Sequence, residues 1–197
     1  MILYDNPLSG NCYKVRLLFS HLGLGYERRE VDVIDRSGRR ELLGELNPAL
    51  RVPVLVLDDG RPLAESNAIL FHFAEGTEYL PDDRYERSQV LQWLFFEQYS
   101  HEPYIAVARF WRIAEISPDA AELQAKERAG HAALRALDQH LTEHRFLVAE
   151  RYTIADIGLY AYTHVAPEGG FELEPYPAIG AWLARVAAHP GHIAITD

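Results

Sequence analysis

The stretch Val52-Pro53-Val54-Leu55-Val56-Leu57-Asp58-Asp59-Gly60-Arg61-Pro62-Leu63-Ala64-Glu65-Ser66-Asn67 decides the fold. Its opening residues are apolar and largely β-branched, the composition of a buried strand. Asp58-Asp59-Gly60-Arg61 is a tight turn, and Pro62-Leu63-Ala64 starts the return strand, so the two form a hairpin. Glu65-Ser66-Asn67 opens a helix over Ala68 to Glu75, which Gly76 can end. A proline at the head of an interior strand is unusual, because it brings no N–H to the ladder. Two readings stay open for it. Either it is a trans proline that starts a strand, or it is a cis or edge proline that leaves the N–H and C=O of Val52 to pair with an extended peptide.

Toward the N-terminus, Ile2-Leu3-Tyr4 reads as a short strand and Asn6 to Asn11 as a turn. Val15, Leu18, Phe19 and Leu22 fall at helical spacing, which places a helix from about Cys12 to Leu22, stopped by Gly23 and Gly25. Tyr26 to Val33 reads as a second strand, parallel to the first across the helix. Arg39 to Leu46 is a short helix ended by Asn47-Pro48. The order β-α-β-α-β-β-α suits a four-stranded mixed sheet with helices packed on it.

Toward the C-terminus the pattern changes. Residues 79–85 contain Leu80-Pro81-Asp82-Asp83 and read as a linker. Beyond them everything is helical: one long helix marked by Val90 through Tyr99, a second over Ala120 to Leu141, a third begun by Tyr152 to Asp156, and a fourth over Ile179 to Ala188. The expected organisation is an α/β domain over 1–78 and an all-helical domain over 86–197.

The chain has 197 residues, of which 48% are hydrophobic and 24% charged, enough apolar content to bury a proper core. Its net charge is −10, about −3 of it in residues 1–80 and −7 in the rest. Neither part has the basic footprint of a nucleic-acid partner, and an anionic membrane would repel both. One cysteine, Cys12, cannot form an internal disulfide or a cysteine-rich zinc site. No apolar run approaches the roughly 20 residues of a membrane span, and the first residues lack a signal-peptide pattern, so a cytoplasmic location is expected.

Three local features of the first domain carry chemistry. Ser9-Gly10-Asn11-Cys12 lies where the first strand meets the first helix, and a helix N-terminus favours an anion, including a thiolate. Ser9 can donate a hydrogen bond to a sulfur anion, or it can merely cap the helix. Val52-Pro53 offers a backbone edge to a peptide. Glu65-Ser66 offers a carboxylate to an ammonium, and a hydroxyl with helix N–H groups to a carboxylate, or it is a serine N-cap with an unrelated acid before it. Together they describe a site for an anionic thiol peptide.

These motifs resemble those of the glutathione S-transferase family. Leu3-Tyr4 through Ser9-Gly10-Asn11-Cys12-Tyr13-Lys14-Val15-Arg16 resembles the opening of its bacterial, theta-like serine-type members. Asn47-Pro48-Ala49-Leu50-Arg51-Val52-Pro53 is similar to that family's Asn-Pro-x-x-Lys/Arg-Val-Pro loop, and Glu65-Ser66-x-Ala68-Ile69 to its Glu-Ser-x-x-Ile motif. Thr153-Ile154-Ala155-Asp156 resembles its capping box. The resemblance implies a thioredoxin-like N-terminal domain followed by an all-α C-terminal domain. It implies that Val52, before a cis Pro53, pairs with the cysteinyl backbone of glutathione, that Arg51 lies near the peptide, and that Glu65 and Ser66 hold the γ-glutamyl group. Ser9 then stands in the place of the thiol-activating serine, with Asn11 beside it. Tyr4 lies near the place of the phenol that other classes use.

The implied chemistry is transfer of a small electrophile to the glutathione thiolate, with glutathione as co-substrate and neither metal nor other cofactor. A glutathione-dependent disulfide reductase, peroxidase or isomerase is the alternative within the enzyme class, and a non-catalytic partner protein of the same fold is the alternative outside it. Retention of both the Val-Pro and Glu-Ser motifs argues against the latter. An electrophile pocket is expected between the domains, on the helical side, with Tyr104, Arg109 and Trp111 as candidates. A homodimer burying part of the Arg87–Tyr99 helix is implied by resemblance. His140 and His144 stand at i,i+4 and read as a solvated pair rather than a zinc site. Cys12 reads as a buried neutral thiol.

Overall fold

The computed structural model describes residues 1–197. The chain forms two compact units, Met1–Glu75 together with Pro190–Asp197, and Gly76–His189.

The first unit is built on β1 (Ile2–Asp5), α1 (Gly10–Leu22), β2 (Glu27–Glu30), α2 (Arg39–Leu43), β3 (Val54–Val56), β4 (Pro62–Ala64) and α3 (Ser66–Ala74). The sheet has the order β2-β1-β3-β4. β1 runs parallel to β2 and antiparallel to β3, and β3 and β4 form the expected hairpin. Register places Leu3 opposite Leu55 and Tyr4 opposite Val54. Side chains alternate between faces along a strand, so each pair serves a different core. Leu3 and Leu55 pack with Val15 and Phe19 of α1 and Ile69 of α3. Tyr4 and Val54 pack with Val31 and with Leu43 of α2.

The strand expected over Tyr26 to Val33 pairs only over Glu27–Glu30, and all four residues are exposed. Charged side chains along this edge discourage pairing with another sheet. The third strand begins at Val54, two residues later than Val52.

α1 is buried on nearly every side, from Cys12 through Phe19. One cover is residues 190–197, which the sequence places in the helical domain and the structure groups with the first unit. The Tyr13 hydroxyl donates to the Ile193 carbonyl (2.7 Å), Arg16 to that of Ile195 (2.5 Å), and Ser20 to that of Gly191 (2.8 Å). Arg16 also pairs with the fully buried Asp5 of β1. These links span some 170 positions of sequence, which no local pattern reveals.

The second unit comprises α4 (Arg84–Phe96), α5 (Glu102–Ile113), α6 (Ala120–Glu143), α7 (Ile154–Thr163) and α8 (Pro177–Ala187), with a 3-10 turn at Ala166–Gly169. Asp83 and Asp119 cap α4 and α6, each accepting from two backbone N–H groups. A π-helical stretch, Glu97–His101, joins α4 to α5, so the helix expected to end near Tyr99 continues to Ile113.

Every residue of α7 is buried. Its start is therefore a buried helix end, whose N–H groups need partners. A capping box supplies them: Thr153 accepts from Ala155 N–H (3.3 Å), and the Asp156 carboxylate accepts from Thr153 N–H (2.9 Å). Asp156 also accepts from Leu147 N–H (3.1 Å) and from the indole of Trp182 on α8 (2.9 Å). One carboxylate thus fixes the entry to α7, the preceding loop and α8 together. No helix of the chain is long and apolar enough to cross a membrane.

Candidate functional site

The β1–α1 connection is shaped by Asn6. Its side-chain amide donates to the Val31 carbonyl (2.9 Å), its side-chain oxygen accepts from Leu8 N–H (2.9 Å), and its carbonyl accepts from Ser9 N–H (3.1 Å). This sets Ser9 as the N-cap of α1, in an extended conformation. Ser9 Oγ accepts from Cys12 N–H at 3.3 Å. That bond uses Ser9 as an acceptor and leaves its O–H as a donor. Capping and donation to a ligand are therefore compatible roles for the one hydroxyl.

Cys12 is fully buried, and desolvation, followed by the charge of Asp5, pushes its thiol up to about 12. A thiol held neutral is a poor nucleophile. The native protein is expected to resist a soluble disulfide reagent and to react with it on unfolding in denaturant. Rapid stoichiometric labelling of the native chain would contradict this burial.

The loop before β3 is organised by Asn47, itself buried. Its side chain accepts from Ala49 N–H (3.0 Å) and donates to the Arg51 carbonyl (3.0 Å). Arg39 donates to the Leu50 carbonyl (3.2 Å), and Leu50 takes a positive φ of 53°. The loop delivers Arg51 exposed and Val52 half-buried, ahead of a cis Val52–Pro53 bond. Val52 precedes the first paired residue of β3, Val54.

At the start of α3, Glu65 has a φ of 67°, a backbone conformation few non-glycine residues adopt. Residues held in such conformations cluster at ligand sites. Glu65 is exposed, whereas Ser66 is buried. The N-termini of α1 and α3 meet directly: Ser66 Oγ donates to Asn11 Oδ1 at 3.1 Å. Lys14 completes this junction, with its ammonium 2.8 Å from Asn11 Oδ1, 3.4 Å from Ser66 Oγ and 3.4 Å from Asn67 Oδ1. Its side chain is fully buried. From sequence Asn11 reads as part of the turn before the helix; α1 instead begins at Gly10, which places Asn11 and Lys14 at i,i+3 on one helix.

Tyr4 stands apart from this junction. It packs on the α2 face of the sheet, and its hydroxyl accepts from Arg29 at 3.1 Å.

The three pocket candidates all lie on α5. The rings of Tyr104 and Trp111 flank the Lys126 ammonium at 5.5 and 5.9 Å, and Lys126 donates to the Pro103 carbonyl (3.0 Å). Tyr104 also lines an open cleft of about 290 Å³ with Phe96, Ser100, Ala129, Ala132 and Ala133. Arg109 points elsewhere: it is buried, and its guanidinium donates to Glu168 (2.6 Å), tying α5 to the 3-10 turn. The His140 and His144 rings stack at 4.4 Å, with Trp93 edge-on to His140. Burial, then the neighbouring His144, lowers the His140 pKa.

The chain thus sets a four-stranded α/β domain, in which the N-termini of α1 and α3 meet at the Asn11–Ser66 hydrogen bond, ahead of an all-helical domain. The family model "Glutathione S-transferase, N-terminal domain" matches residues 8–75, and "Glutathione S-transferase, C-terminal domain" matches residues 91–190. The chain belongs to the glutathione S-transferase family. The crystal structure of glutathione S-transferase from Pseudomonas fluorescens Pf-5 is 48% identical over the whole of this chain and 98% of its own, with a TM-score of 0.96. Ure2p in complex with S-hexylglutathione is 25% identical, covering 100% of this chain and 97% of its own, with a TM-score of 0.89. Among curated relatives, the disulfide-bond oxidoreductase YfcG of Escherichia coli K12 is 27% identical over 95% of this chain and 90% of its own.

Proposed function

We propose that this chain is a serine-type glutathione transferase, in which Ser9 stabilises the glutathione thiolate and directs it at a small electrophile. The observation that carries the reading is the junction of the α1 and α3 N-termini, with Ser9 as cap of the first and Asn11 hydrogen-bonded to Ser66 of the second. Val52 pairs with the cysteinyl backbone, Arg51 lies beside the peptide, and Glu65 receives the γ-glutamyl ammonium. The γ-glutamyl carboxylate sits at the α3 N-terminus, where N–H groups and the helix dipole favour it.

A free thiol ionises near a pKa of about 8.5, so little is anionic at neutral pH. Lowering that value by about 2 units takes roughly 2.7 kcal/mol of preference for the thiolate. One charge-assisted hydrogen bond from Ser9 and the α1 dipole are of that size. The thiol proton leaves to solvent, the sulfur forms a bond to the electrophilic atom, and the leaving group departs with its electron pair. This chemistry calls for glutathione as co-substrate and for no metal or redox cofactor. Tyr104 and Trp111 are the aromatic surface offered to the electrophile, and Arg109 contributes through the position of α5.

Resemblance to YfcG favours a second reading, in which the same thiolate attacks a disulfide. Assay against a panel of aryl halides, enones and small disulfides separates the two. Conjugation of the carbon electrophiles supports transfer; turnover of disulfides alone supports reduction; neither, with glutathione bound, supports the non-catalytic alternative.

The biological role fitting this activity is detoxification in the cytoplasm, without nucleic-acid or membrane partners. α4 and the π-helical stretch carry Tyr85, Phe95 and Tyr99, which are 72%, 69% and 81% exposed, the last two four residues apart. Exposed aromatic residues grouped on a helix face mark a protein interface. Sedimentation is expected to give a homodimer, and Phe95→Glu to shift it toward monomer. A wild-type chain that sediments as a monomer contradicts the dimer.

A further inference from the structure

We propose that Lys14 is a positioning residue of the glutathione site, fixing which end of the Asn11 amide faces the sulfur and holding the α1 and α3 N-termini in register. The inference rests on the glutathione reading above and gives a role to Lys14, a side chain of the stretch from Ser9 to Arg16 to which the resemblance assigns none.

An ammonium has three donors and no acceptor. Lys14 spends them toward Asn11 Oδ1 (2.8 Å), Ser66 Oγ (3.4 Å) and Asn67 Oδ1 (3.4 Å). Asn11 must therefore present its oxygen to Lys14, because its NH2 end would set donor against donor. The same oxygen accepts from Ser66 Oγ at 3.1 Å, so two donors select one amide orientation. The NH2 end is then directed away from Lys14 and Ser66, as the donor end of the residue. A thiolate needs donors, not acceptors, so the orientation that Lys14 imposes is the useful one.

Ser66 is engaged in the same network. Its O–H points to Asn11 and its oxygen faces Lys14. The backbone N–H groups at the start of α3, rather than this hydroxyl, are then the donors to a ligand carboxylate. Lys14 is fully buried, and a charge in that setting stays only with its oxygens held close. The network is accordingly rigid, and it joins the end of the site that meets sulfur to the end that meets the γ-glutamyl group.

The test uses the full chain with glutathione as the probe, in three forms: wild type, Lys14→Met and Asn11→Asp. Lys14→Met keeps the unbranched shape of the side chain, one heavy atom shorter, and removes every donor. Asn11→Asp keeps an oxygen for Lys14 and Ser66 but removes the NH2. Calorimetry reads affinity, and the ultraviolet thiolate absorbance at saturation reads the ionised fraction. Lys14→Met is expected to bind glutathione about tenfold more weakly and to lose much of the thiolate signal at saturation. Asn11→Asp is expected to lose the thiolate signal as well, and it tests the amide's role even if Lys14→Met fails to fold. A folded Lys14→Met with a lower melting temperature but a wild-type thiolate signal makes Lys14 merely structural and overturns the proposal. A wild-type signal in Asn11→Asp overturns it too. Absence of binding by the wild-type chain is a different result, which overturns the functional reading itself.

Discussion

Asp156→Ala lowers the stability of the helical unit by about 4 kcal/mol, through loss of the capping box and orphaning of buried donors. The carboxylate accepts from the N–H groups of Leu147 and Thr153, from the Thr153 hydroxyl and from the Trp182 indole, and all of these bonds are buried. Alanine removes the acceptor and leaves each donor in an apolar setting without water. A buried donor left unsatisfied costs about 1–3 kcal/mol, and losses within one network do not simply add. Denaturant unfolding followed by tryptophan fluorescence reads the change. A loss below about 1 kcal/mol would show that this network is not what holds α7 in place.

The same carboxyl has a pH signature. Burial is the leading influence on it and, against its hydrogen bonds, pushes its pKa up to about 6 from the ordinary aspartate value of 3.8. Between those values the folded chain holds a proton that the unfolded chain has released. The contribution is therefore fully present below pH 3.8, falls as pH rises, and is flat above pH 6. Its size is on the order of 3 kcal/mol. Asp156→Asn removes the titration, so the difference in unfolding free energy between wild type and variant changes across that window and not above it. A pH-independent difference contradicts a raised pKa.

Ser9→Ala is the second large effect, and it falls on chemistry more than on folding. A hydrogen bond to a charged sulfur is worth about 1.5–3 kcal/mol, which is about 10- to 150-fold in the thiolate equilibrium. Thiolate absorbance of bound glutathione and kcat should both fall in that range, while KM for glutathione changes little, because Val52, Glu65 and the α3 N-terminus still hold the peptide. Loss of the cap costs about 1 kcal/mol of stability besides. Unchanged absorbance in Ser9→Ala moves the activating role to Asn11 or to the helix N–H groups.

These sites were unequally legible in the sequence. The hairpin from Val54 to Ala64 follows from the apolar, valine-rich run Val54-Leu55-Val56-Leu57 before the turn Asp58-Asp59-Gly60-Arg61 and the apolar Leu63-Ala64 after it, which are local signals. The Thr153–Asp156 box is legible for the same reason, since both partners lie within one helical turn. Position Ser9 is legible because a cap is a local event. What escaped is long-range. Lys14 finds Ser66 across 52 positions, a separation no local pattern spans. Arg16 and Tyr13 are buried because residues 190–197 return to α1, and helical spacing cannot show a cover that arrives from the other end of the chain. Arg109 looked like a pocket residue by type and position, but Glu168 lies 59 positions away and settles its direction. The π-helical stretch at Glu97–His101 has no compositional mark, so the helix length was underestimated.

Glutathione itself is the most direct probe of the site. Titrating reduced glutathione into the wild-type chain, with thiolate absorbance recorded on the same samples, tests binding and activation together. Saturable binding at or below millimolar concentration, with a thiolate signal at neutral pH that free glutathione lacks, is the predicted result. No binding at millimolar glutathione, or binding with the thiol fully protonated, would contradict the proposed function.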